Sequence, residues 1–155
     1  MLVINLSRRW DEPLIVDSIR AFSEAGVPKI IALFDRLWTP TQLPKRGWRR
    51  RRALRSHDRD LRLFALLSAW PNLIETIGVL WDTRAITTEV VYKMWGGAIV
   101  GAWDRWERPV DHLRKLEDGD DSGGGYRFFQ SLAEEMRNEE FADRTRQTQP
   151  IAGQV

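Results

Sequence analysis

From Thr87 to Trp106, apolar side chains recur at helical spacing. Val91, Trp95, Ala98, Ala102 and Trp106 follow at steps of three and four, while Val90, Met94 and Ile99 carry the apolar surface round the side. Paired threonines at 87 and 88 stand where a cap belongs. A helix apolar on so many sides is expected to be the central, most buried one.

The same spacing recurs on both sides of this segment. Asp11 is expected to cap a first helix, with Glu12 and Pro13 in its first turn and Leu14, Ile15, Ile19 and Phe22 as its stripe, and Gly26 with Pro28 ends it. A second runs from about Pro28 to Trp38, with Ile30, Ile31, Phe34, Leu37 and Trp38 on one face. Pro40 and Pro44 then forbid a continuing helix, so the chain reads as a basic, proline-containing linker over 39–55. A long pattern from about Ser56 to Asp82 follows, carrying Leu67, Trp70, Ile74 and Ile77. Pro71 sits inside it and predicts a kink or two abutting helices. Beyond the central segment, Pro109 opens a brief helix to Leu116, and residues 117–125 form an acidic, glycine-rich loop. The last helix spans about Tyr126 to Phe141 and buries Tyr126, Phe129, Leu132, Ala133 and Met136. Residues 142–155 read as a flexible tail.

No segment alternates as a strand does, and no repeat is visible. The expectation is an all-α, single-domain bundle of five or six helices over residues 1–141. Its 155 residues suffice for a core without staples. Eight tryptophans supply a large apolar mass, and zero cysteines exclude disulfides, thiolate metal sites and a catalytic thiol. No stretch reads as a membrane span of about 18 uncharged apolar residues, and the expected location is the cytoplasm.

Charge changes the picture at one place. The net charge of +2 hides nine basic residues against two acidic ones between Lys45 and Arg62, a local +7 that leaves −5 on the remainder. Arg49, Arg50, Arg51, Arg52 and Arg55, with Trp48 beside them, form the sharpest candidate site. Guanidinium forks fit phosphates and an indole stacks on a base, and the same side chains fit an anionic lipid surface. The alternative is a solvated segment that offsets the acidic body by docking on the last helix at Glu134, Glu135, Glu139 and Glu140.

Other constellations carry less. Asp118-Gly119-Asp120-Asp121-Ser122-Gly123 opens like a calcium loop, but its twelfth position is Phe129 instead of a bidentate Glu. His57 and His112 are the only histidines, too few for a histidine-rich metal site. Ser56-His57-Asp58 is consecutive, so the three side chains diverge round a helix and form no relay. Gly97 and Gly101 have the spacing that lets helices approach closely, within the domain or at a dimer seam.

Trp10-Asp11-Glu12 before a helix, the apolar run ending at Ile77 to Trp81, Trp95-Gly96, Trp103, Pro109, and the Tyr126, Phe129, Leu132 spacing together resemble an uncharacterised bacterial family of helical domains. Members often follow an amino-terminal membrane helix, which is lacking here. The resemblance covers about Trp10 to Met136, rests on core positions and implies fold alone. With no convergent acid, base, nucleophile or metal set, the sequence implies a non-enzymatic interaction or regulatory module for a protein partner, without cofactor or metal. Its alternative is an anion-binding module that uses Trp48, Arg49, Arg50, Arg51, Arg52 and Arg55 on nucleic acid or acidic lipid.

Overall fold

A computed structural model describes residues 6, 8–39, 47–117 and 125–148. After a helical turn at Arg8 to Trp10, the described residues form five helices: α1 (Pro13–Ala25), α2 (Val27–Trp38), α3 (Trp48–Asp82), α4 (Thr88–Leu116) and α5 (Arg127–Thr148). The fold is all-α and a single domain, as the sequence implies, and its centre is shared. The 35-residue α3 packs against all four other helices. α4 buries Val91, Trp95, Ile99, Trp103, Trp106 and Val110 between α2, α3 and α5.

Several boundaries differ from the sequence reading, each for a physical reason. Glu12, not Asp11, is the N-cap of α1, and it makes no side-chain cap bond. Leu14 is 54% exposed, so only Ile15 and Phe22 of the expected stripe are fully buried. Gly26, at φ 72°, lies in the left-handed region and turns α1 into α2.

The largest correction concerns residues 48–55. They are helix, not linker, because α3 begins at Trp48 directly after Gly47. Arginine, alanine and leucine are strong helix formers, so once the chain leaves the prolines the helix propagates at once. The remainder of the linker, 40–46, lies outside the described residues.

Neither internal proline breaks its helix. α3 continues through Pro71 and α4 through Pro109, so the separate short helix expected from Pro109 is the last part of α4. At Pro71 the reason is visible. The ring removes the donor that would serve the Leu67 carbonyl, four residues back. The buried hydroxyl of Ser18 on α1 donates to that oxygen at 3.0 Å and accepts from the Trp70 amide at 3.2 Å.

α5 begins one residue later than expected and runs to Thr148 instead of ending near Phe141. Phe129, Leu132, Ala133 and Met136 are fully buried, as their spacing implies, while Tyr126 is half-buried in the turn before the helix at φ 69°. The Glu75 carboxylate of α3 caps this helix from across the bundle, accepting from Phe128 N at 3.3 Å and Phe129 N at 2.6 Å. Three residues further on, Gly78 lets the α5 backbone in: a Cβ there would sit 2.7 Å from the Phe128 carbonyl oxygen.

Gly97 and Gly101 show the opposite situation. Among the described residues, a Cβ on either would meet nothing within 4 Å, so these glycines serve no close packing between the described helices. Met94, at 45% exposure, and Ala98 lie on the same open side of α4.

Candidate nucleic-acid interface

The first three turns of α3 are largely exposed to solvent. From Trp48 to Arg59 every described side chain is exposed except that of Ala53, which is half-buried. Burial resumes at Asp60, which is 7% exposed. There the Arg36 guanidinium of α2 grips the carboxylate through a fork, Nε to Oδ2 at 2.9 Å and Nη2 to Oδ1 at 3.2 Å. The hydrogen bond from Arg36 holds the Asp60 carboxyl below its ordinary value. This clamp marks where the free arm ends and the packed helix begins.

Of the site residues read from the sequence, Trp48 is 66% exposed, and Arg50, Arg51, Arg52 and Arg55 are exposed on the arm. Arg49 lies within α3, and its side chain is outside what the structure describes. Arg50, Arg51, Arg52, Arg55 and Arg59 make no ion pair with described residues, whereas Arg62 pairs with Asp58 at 3.0 Å. Docking of the arm on Glu134, Glu135 or Glu139 is not what the described ion pairs show. Glu134 accepts from Gln130 at 3.0 Å, and the ion pair that ties α5 to α4 is Arg137 with Asp104.

The arm is electrostatically unfavourable by itself. No acidic residue stands in the first turn of α3. A helix N-terminus already carries about half a positive charge, and arginines there add to it instead of offsetting it. A short, unpacked basic helix of this kind gains most from an anion brought to it.

The remaining constellations do not converge. His57 is exposed on the arm, while His112 of α4 bonds Asp35 of α2 at 2.7 Å as a link between helices. Ser56, His57 and Asp58 are exposed in succession round α3 and form no relay. The calcium-like residues 118–123 lie outside the described residues. Among the described residues, no cluster of three or more His, Asp or Glu could hold a metal ion. Burial raises the Tyr126 phenol above its ordinary value; its ring rests against Trp106 at 6.4 Å, a core contact.

α3 also changes one expectation. By length and composition it can cross a membrane, through an 18-residue window of mean hydropathy 1.5, although 44% of that window is buried within the domain. Leu67, Ile74 and Ile77 are fully buried, so its apolar side serves the core.

Sequence reasoning missed Arg36, Ser18, Glu75 and Gly78. Each works on a partner at least 24 residues away in the chain, except that Gly78 works by what it lacks. The arginines themselves were legible, and their helical arrangement was not.

The class defined here is an all-α domain that presents a solvated basic helical arm. Comparison of the chain with protein-family models, with curated proteins and with solved structures finds no match.

Proposed function

We propose that this protein is a non-enzymatic interaction module whose working surface is the arm at the start of α3, and that the arm takes an anionic partner. The observation that carries the reading is the exposure of Arg50, Arg51, Arg52 and Arg55 on one free helical segment, without ion pairs to described residues. Five guanidinia, counting Arg59, without ion pairs among the described residues and spread over about 14 Å of helix, concentrate positive potential where the N-terminal dipole already points it. The chain outside 45–62, at −5, is mildly acidic and repels polyanions, so a ligand meets the basic segment first. The resemblance to the bacterial helical family belongs to this proposal and brings no activity with it.

The test is a titration of the full chain with short oligonucleotides and with anionic vesicles at two salt concentrations. Binding that weakens steeply with salt, and that disappears when Arg50, Arg51, Arg52 and Arg55 are changed together to Gln, is the expected result. Binding that survives those changes sinks the reading.

A protein partner is the second reading. Exposed apolar side chains favour it: Leu14 at 54% and Val16 at 43% on α1, with Leu14 on the rim of a groove of about 230 Å³ between α1 and α3. Changing both to Ser would abolish capture of such a partner without touching the arm.

A further inference from the structure

We infer that the arm of α3 seats in the major groove of a DNA duplex, with arginines on its two flanks taking phosphates from the two strands. This rests on the anion-binding reading above and names the ligand for it. A helix turns about 100° per residue, so Arg50 and Arg59, nine residues apart, point in opposite directions, and Arg52 lies on the Arg59 side. The outer edge between the flanks, facing away from the buried Asp60 and Leu67, carries Arg51, Leu54, Arg55 and Asp58. Leu54 is 43% exposed.

This distribution discriminates between anionic ligands. A groove has two charged walls, and a basic helix inserted between them uses both flanks. The B-DNA major groove is about 12 Å wide and 8.5 Å deep, which admits an α-helix of about 10–12 Å diameter. The major groove of A-form RNA is too narrow for one. A bilayer surface asks for a continuous apolar edge with basic residues beside it, and here Arg51 and Asp58 interrupt the edge. A single strand has only one backbone and engages one flank.

Insertion also needs a helix open to solvent on three sides, and the exposure from Arg50 to Arg59 provides that over nearly three turns. The arm holds no Asn or Gln to pair with adenine in the bidentate manner. Phosphate contacts from the flanks supply the affinity, and any base reading falls to an arginine at guanine.

The experiment uses the full chain and four probes: a 20-base-pair DNA duplex, the RNA duplex of the same sequence, one of the DNA strands alone, and vesicles containing phosphatidylserine. The expected result is tightest binding to the DNA duplex, by tenfold or more. The salt dependence should be that of about four or five neutralised phosphates, a logarithmic slope of about −4. Arg50→Gln and Arg59→Gln should each lower that slope by about 1, and the complex should protect guanine N7, which faces the major groove, from dimethyl sulfate. The groove placement is overturned if only one of the two variants changes the slope, if N7 stays reactive in the saturated complex, or if RNA, single strand or vesicles bind as well as the duplex. In that last case salt-sensitive binding would still uphold the anion-binding reading; no binding to any probe would remove both. Both variants lie on the solvated arm, and an unchanged thermal unfolding midpoint shows that the domain is intact.

Discussion

The hydroxyl of Ser18 donates to the carbonyl oxygen of Leu67 at 3.0 Å, the oxygen that Pro71 leaves without its helical donor. The same hydroxyl accepts the Trp70 amide at 3.2 Å. One fully buried side chain on α1 thus repairs the ladder of α3 at its proline.

Ser18→Ala removes both bonds and leaves the buried Leu67 carbonyl unmatched. It should destabilise the domain by about 1–3 kcal/mol in urea unfolding. With Pro71→Ala in the background, residue 71 regains an amide for Leu67, and the loss on changing Ser18 should shrink. Equal losses in the two backgrounds would show that the serine does not act through the proline.

Asp60 gives the stability a pH dependence. Its carboxyl is held below its ordinary value of 3.8 by the hydrogen bond from Arg36. A depressed folded value stabilises the domain above the unfolded value, and that contribution is lost as pH falls through the folded one. Asp60→Asn should lower stability by about 1–2 kcal/mol at pH 7, kept modest by the half-solvated Arg36. It should also flatten the decline below about pH 4. Denaturant midpoints across pH 2.5 to 7 for both proteins measure it.

The glycines of α3 and α4 should respond in opposite directions. Gly78→Ala forces a methyl against the α5 backbone, 2.7 Å from the Phe128 oxygen, and should destabilise by about 1–3 kcal/mol. Gly97→Ala adds a methyl in open space and should stabilise by up to about 1 kcal/mol through helix propensity alone. Thermal unfolding of the two single variants decides it.

Glu75 holds the start of α5 from another helix. Glu75→Ala should lose about 0.5–2 kcal/mol, in the range of other cap removals. The amides of Phe128 and Phe129 should then exchange their hydrogens faster, while those of α4 near Ile99 keep their protection.

The sequence carries the helical class and most of the core because both live in short-range periodicity. Val91, Trp95, Ala102 and Trp106, and then Phe129, Leu132 and Met136, are buried as their spacing implies. Ala98 and Met94 fit the same spacing and are exposed, since a period marks a face and not how far a neighbour covers it. The proline at 71 is locally a breaker, and what offsets it is a serine on another helix, 49 residues from the Leu67 carbonyl it serves. The arginine segment reads as loop because basic residues disfavour a helix start, and nothing local shows that the body of α3 extends backwards through them. The spacing of Gly97 and Gly101 suggests close packing, yet the close approach occurs at Gly78, where no motif draws the eye.

The unbroken run of α3 from arm to core makes the two parts rotate as gears on one shaft. Arg36 fixes the shaft at Asp60, and Ser18 fixes it at Leu67. One residue inserted between Arg55 and Arg59 would turn the arm ahead of it by about 100° and advance it about 1.5 Å, without disturbing a buried side chain. Four inserted residues would bring it nearly back into phase. The direction in which the domain presents its arginines is therefore set by residue count, and lengthening the arm would re-aim it like a dial.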